Sequence, residues 1–123
     1  MMNNYEKLDV FHRAHKLVLA IYRVTNEYPG HEKYRLVDQM VRAAYSIPSN
    51  IVEGNSKNTT KDYLNFLYIS RGSTHELNYF LFLSKDLGYI TSDIYEKLTK
   101  ECGNIAKMLN GLINSLKGKM KNA

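Results

Sequence analysis

Val41-Arg42-Ala43-Ala44-Tyr45-Ser46-Ile47-Pro48-Ser49-Asn50-Ile51-Val52-Glu53-Gly54 carries a helical apolar pattern through a proline flanked by small polar residues. Ala44, Ile47 and Ile51 continue a helical apolar period begun by Leu36 and Met40, and the period runs straight through a proline. Pro48 has no N–H to offer the carbonyl of Ala44. The helix is therefore expected to bend there, unless Ser46, Ser49, Asn50 or a neighbouring helix supplies a donor. Gly54 stands where a left-handed residue can end the helix, and the polar run 55–60 after it cannot join a core.

Working outward, the same period recurs on both sides. Upstream, Val10, Ala14, Leu17, Ile21, Val24 and Tyr28 form a seam over about residues 8–26, stopped by Pro29-Gly30. Its other face pairs Asp9 with Arg13 and Arg23 with Glu27 at i,i+4 spacing. The proline-bearing helix is expected over 32–54. Downstream, Thr59 with Asp62 reads as a capping pair for a helix over 60–87. Gly88 reads as its C-cap, and Thr91 or Ser92 with Asp93 opens a fourth helix over 92–116. Ile94, Leu98, Cys102, Ile105, Leu109, Leu112 and Leu116 line its seam, and a basic tail, 117–123, follows. Short connections make neighbours antiparallel, so the expectation is one domain over 1–123: an all-α, antiparallel up-down-up-down four-helix bundle.

The third helix carries bulky apolar side chains in every direction, more than a single bundle stripe can bury. A homo-oligomer follows, with Tyr68, Tyr79, Phe80 and Phe82 as its expected interface. Gly72, which weakens this helix by about 1 kcal/mol relative to alanine, is expected at a tight helix crossing within the bundle or between copies.

At 123 residues and 44% apolar content the chain is one globular unit. Neither a membrane span nor a signal-peptide core is visible, so a cytoplasmic location is expected. The lone Cys102 on an apolar stripe reads as a small core residue. Net charge is +5, and four of those charges lie after residue 106, where Lys107, Lys117, Lys119 and Lys121 face no acid. A nucleic-acid contact, if made, is expected through Lys117, Lys119 and Lys121, with Arg13 and Lys16 secondary and phosphate neutralisation as the mechanism.

Reaction chemistry is sparse. Arg71 and His75, at i,i+4, are the minimal kit of a metal-independent ribonuclease, a cation for phosphate beside a general base. The preferred reading places Arg71 instead in a structural polar network with Arg42, Glu53 and Glu76 that joins the second and third helices. Asp9, His12 and His15 have no matching Glu-x-x-His on another helix, so no metal is expected. With no phosphate-cradling glycine loop and no dinucleotide fingerprint, no cofactor is expected and the chain reads as a non-enzyme.

Three blocks carry a resemblance: Tyr28-Pro29 with Glu32-x-Tyr34-x-Leu36; Gln39-x-x-Arg42-Ala43-Ala44-x-Ser46-Ile47-Pro48-Ser49-Asn50-Ile51-x-Glu53-Gly54; and Phe66-Leu67-Tyr68-Ile69-x-Arg71-Gly72-Ser73-x-x-Glu76-Leu77. Over residues 10–89 the chain resembles the bacterial four-helix bundle proteins encoded in 23S ribosomal RNA intervening sequences. It is also similar to the accessory variability determinant of diversity-generating retroelements. The resemblance implies a ring-like assembly, typically a homopentamer, and a non-catalytic accessory role with RNA, DNA or a reverse transcriptase as partner. A purely protein-binding scaffold is the alternative. Val41, where a second arginine is usual, and Asn55-Ser56-Lys57, in place of a glycine-arginine run, depart from the pattern and remove basic charge.

Overall fold

The four expected helical segments become four helices. In the computed structural model, which describes residues 4–121, short 3-10 turns at Asn4–Lys7 and Gly30–Glu32 accompany α1 (Asp9–Thr25), α2 (Leu36–Asn55), α3 (Thr60–Asp86) and α4 (Ser92–Lys121). Residues 1–3, and residues 122–123 of the expected basic tail, lie outside the described residues. Each helix packs on its neighbours in sequence and α4 closes the square against α1. Contacts run in opposite order along adjacent helices. Ser46 meets Ser73 while Met40 meets Ser84, and Arg71 meets Asn110 while Phe82 meets Tyr95, so α2, α3 and α4 are antiparallel.

The core is built largely from the expected seams, with Ile113 rather than Leu112 turned inward on α4 and Ile94 left exposed. Val10, Ala14, Leu17 and Ile21 of α1 meet Met40, Ala44, Ile47 and Ile51 of α2, with Leu67, Leu77 and Leu81 of α3 and Cys102, Ile105, Leu109 and Ile113 of α4. Burial pushes the Cys102 thiol up to about 12, as its place among core side chains requires. The caps also follow the residue types. The Asp62 N–H donates to Thr59 Oγ1 (3.1 Å) and the Ile94 N–H to Thr91 Oγ1 (3.2 Å).

α2 and α3 make the most extensive contact in the bundle, and small residues explain it. Ser70, Thr74 and Ser84 of α3 are buried, where their hydroxyls donate to carbonyls: Ser70 across to Ile47 (2.9 Å), Thr74 to Ser70 (2.9 Å) and Ser84 to Phe80 (2.7 Å). Around buried Pro48, the Asn50 amide donates to the Ser46 carbonyl (2.7 Å), and the Ser46 and Ser73 hydroxyls bond across the two helices (2.8 Å). α2 continues as one helix through the proline. The donors expected for the Ala44 carbonyl serve those of Ser46 and Ile47 instead.

Four expectations are corrected. Gly54 is not a left-handed cap: it is a buried part of α2, and a Cβ there would lie 2.9 Å from both Phe66 Cβ and Tyr63 Cδ1. Among the described glycines only Gly88, at φ 80°, takes the left-handed conformation. Gly72 marks no crossing within the bundle, because nothing lies within 4 Å of a Cβ built there.

α2 begins at Leu36 rather than 32, since Arg35 leaves the helical region (φ −119°, ψ −103°). Glu32 is drawn inward instead: buried, it accepts a 2.7 Å hydrogen bond from the Tyr89 hydroxyl, with Arg35 Nε at 3.8 Å. That hydrogen bond, ahead of the nearby positive charges, holds the Glu32 carboxyl below its usual range. Finally, α4 does not dissolve at Gly118 but runs on to Lys121, so the basic residues 117–121 are helical.

Candidate nucleic-acid interface

Because α4 extends to Lys121, its basic residues acquire a fixed direction. Lys107, Asn110, Asn114, Lys117 and Lys121 recur at alternating spacings of three and four, the period that places side chains on one face of a helix. All five are exposed. They form a line about 20 Å long at 1.5 Å rise per residue, carrying no acid. Lys119, two residues from Lys117, falls on the far side of the helix.

α3 completes this surface. Arg71 Nη1 donates to Asn110 Oδ1 (3.0 Å), and the Arg71 guanidinium lies 5.2 Å from the centroid of the Tyr68 ring. Lys117 Nζ lies 5.6 Å from the same centroid. Two cations from two helices therefore converge on one aromatic ring, with no ion-pair partner for either among the described residues. The ring quadrupole attracts each cation without neutralising it. This leaves concentrated positive charge between α3 and α4.

The other predicted residues scatter. Arg13 is spent on a bidentate pair with Glu101 (Nε–Oε1 2.9 Å, Nη2–Oε2 3.0 Å), which joins α1 to α4 and raises the arginine's proton affinity. Lys16 is exposed on α1, at the edge of a shallow groove floored by Leu17, Ala20 and Leu98 with Lys97 opposite. Neither joins the α4 line. Of the i,i+4 pairs expected here, Asp9–Arg13 gives way to Arg13–Glu101, and Arg23–Glu27 does not form among the described residues.

The expected network of Arg42, Glu53, Arg71 and Glu76 does not form. Glu53 pairs locally with Lys57 (3.2 Å), and Arg71 turns to α4. Arg42 and Glu76 are exposed and line a polar cleft of about 490 Å³ between α2 and α3, with Gln39, Ser46, Ser49 and Ser73. The physical reason is direction: α3 presents Arg71 toward α4 and Glu76 toward α2, so one network cannot hold both. Nor do Arg71 and His75 converge, since His75 is exposed with no hydrogen bond to Arg71 among the described residues.

Of the expected interface residues, Tyr79 (57% exposed) and Phe82 (45%) stand on the surface with Ile69 (51%), whereas Tyr68 and Phe80 are half-buried against the core. Tyr68 belongs to the cationic groove. What sequence reading passed over was the pairing of Arg71 and Tyr68 with Asn110 and Lys117. Its local signal is the three-four spacing of the α4 residues, which directs side chains to one face only because this segment is helical.

Among the described residues no group of His, Cys, Asp and Glu is placed to hold a metal, and no helix is long and apolar enough to cross a membrane. A sequence model described as 23S rRNA-intervening sequence protein matches residues 6–111. A protein of unknown function from the S23 ribosomal protein family of Bacteroides thetaiotaomicron is similar in structure, with TM-score 0.80 and 25% identity over 85% of this chain and 95% of its own. No curated protein matches the chain.

Proposed function

The chain belongs to the 23S rRNA-intervening sequence protein family, and from that premise we propose that it is a non-enzymatic nucleic-acid-binding protein that works as a homo-oligomer. The observation that carries the reading is the acid-free line of Lys107, Lys117 and Lys121 on α4, joined by Arg71 from α3. Phosphates neutralised by these side chains release counterions, so binding is sequence-tolerant and falls steeply with salt. The family description points to a ribosomal RNA setting, which favours RNA as the partner.

Oligomerisation is supported by Ile69, Tyr79 and Phe82, large apolar side chains left on the outside of α3 beside the bare backbone of Gly72. Repeating the cationic groove in a ring multiplies weak contacts through effective concentration. A homopentamer accords with the family resemblance.

The test is binding of a labelled RNA stem-loop, which offers paired and unpaired regions together, at rising salt. Affinity is expected to fall by a large factor between about 50 and 200 mM salt, and to be lost when the chain is truncated after Leu116. Binding that ignores salt, or survives the truncation, rejects the mechanism.

A further inference from the structure

The groove between α3 and α4 holds more than positive charge, and its other groups discriminate among nucleic acids. Building on the nucleic-acid reading, we infer that the α3–α4 groove takes a single, unpaired strand, with Arg71 and Lys117 on its phosphates, Tyr68 as a stacking surface and the Asn110 and Asn114 carboxamides at base edges.

Three observations lead there. The cations lie in one line on α4, with Arg71 beside Asn110, which suits one backbone. A duplex presents two. Tyr68 lies between α3 and α4 with the Nζ of exposed Lys117 5.6 Å from its ring centroid, a cation–π contact with no ion pair or hydrogen bond to Lys117 beside it among the described residues. When a phosphate draws Lys117 away, that part of the ring is free for an unstacked base, a contact open to every base because each has a π-face. Asn110 spends its carbonyl oxygen on Arg71, which leaves its amide with two N–H donors, and exposed Asn114 lies one turn further along the same line. Amide donors and an aromatic ring read bases that are splayed out of a helix, whereas a duplex buries those base faces.

Arg71 has a further property that suits it to this position. Its guanidinium is oriented before any ligand arrives, by Asn110 at one nitrogen and by the Tyr68 ring, and its other N–H groups, without a partner among the described residues, suit a forked grip on phosphate.

The test compares fluorescence anisotropy of the full chain with a labelled oligouridylate of about twelve nucleotides and with a blunt RNA duplex of matching length. The single strand is expected to bind about tenfold tighter. Tyr68→Leu is expected to weaken oligouridylate binding at least about fivefold with the salt slope unchanged, and Tyr68→Phe to restore it. Arg71→Gln is expected to weaken binding and to lower the salt slope by about 0.7, one phosphate contact on a single strand. Lys33→Gln, the same charge change in the connection between α1 and α2, is the control and leaves affinity unchanged. Helicity by circular dichroism verifies that each variant is folded, and Tyr68→Phe keeps the ring test decisive should the leucine variant unfold. Duplex binding as tight as single-strand binding overturns the inference, as does a folded Tyr68→Leu or Arg71→Gln chain that binds like the wild type. Failure to bind either probe removes the nucleic-acid reading beneath it as well.

Discussion

Gly54 lets the C-terminal end of α2 pack close against the start of α3. A methyl group there meets Phe66 Cβ and Tyr63 Cδ1 at 2.9 Å and the Tyr63 carbonyl oxygen at 3.2 Å, so α2 and α3 must part to admit it. Gly54→Ala gains helix propensity of about 1 kcal/mol, but overpacking of about 1–3 kcal/mol opposes it. Net destabilisation is expected, read as a lower urea midpoint, and a midpoint equal to or above wild type would show that the helices yield freely. Glu32 carries a different prediction. Its folded carboxyl titrates below the unfolded value of about 4.3, so its contribution is fully present above that value and is lost as pH falls through the lowered folded value. Glu32→Gln should therefore flatten the acid limb of Tm against pH while leaving the neutral-pH slope unchanged. An acid limb as steep as wild type would assign the loss to other carboxylates.

Between elements, α2 and α3 are held by a line of small polar groups rather than by ion pairs. The Ser46–Ser73 hydrogen bond (2.8 Å) sits half-buried at its centre, where Asn50 Nδ2 also donates to Ser46 Oγ (2.9 Å). A double-mutant cycle with Ser46→Ala and Ser73→Ala should give a coupling of about 0.5–1.5 kcal/mol. Additive losses in denaturant melts would mean that the two hydroxyls act separately. α4 illustrates the limit of local reading: Gly118 and three lysines argue for a frayed end, yet the helix persists to Lys121 beyond buried Leu116. Helix propensity is a weak prior, and lysine is in fact a good helix former, so an isolated glycine is absorbed. The consequence is functional, because a helix aims its lysines and a tail does not.

At the scale of the whole molecule, one subunit leaves Ile69, Tyr79 and Phe82 of α3 about half exposed. Sedimentation velocity at working concentration should show an assembly larger than one subunit, and Tyr79→Glu with Ile69→Glu should shift it toward the monomer without loss of helicity. A wild-type chain that sediments alone would remove the oligomer, and with it the multiplied groove. The bundle was largely legible beforehand: period, caps and short connections located four helices, and the seams named most of the core. Ser70, Thr74 and Ser84 escaped, because a small polar side chain signals burial only when the carbonyl it serves is known. The cationic surface is half legible: its lysines stand out in the sequence, but the expected direction of Arg71, toward α2, differs from its direction in the structure, toward α4.

Four helices in one bundle are written into the chain locally, because apolar period, capping residues and turn breakers act over a few residues. Which way the charged side chains point is settled by packing between helices. Arg71 could face Glu53, Glu76 or α4, and the rotation of α3, set by packing small residues against α2, turns it to Asn110, Tyr68 and Lys117. Such a choice depends on residues far apart in the chain meeting across helices, and no local pattern records it.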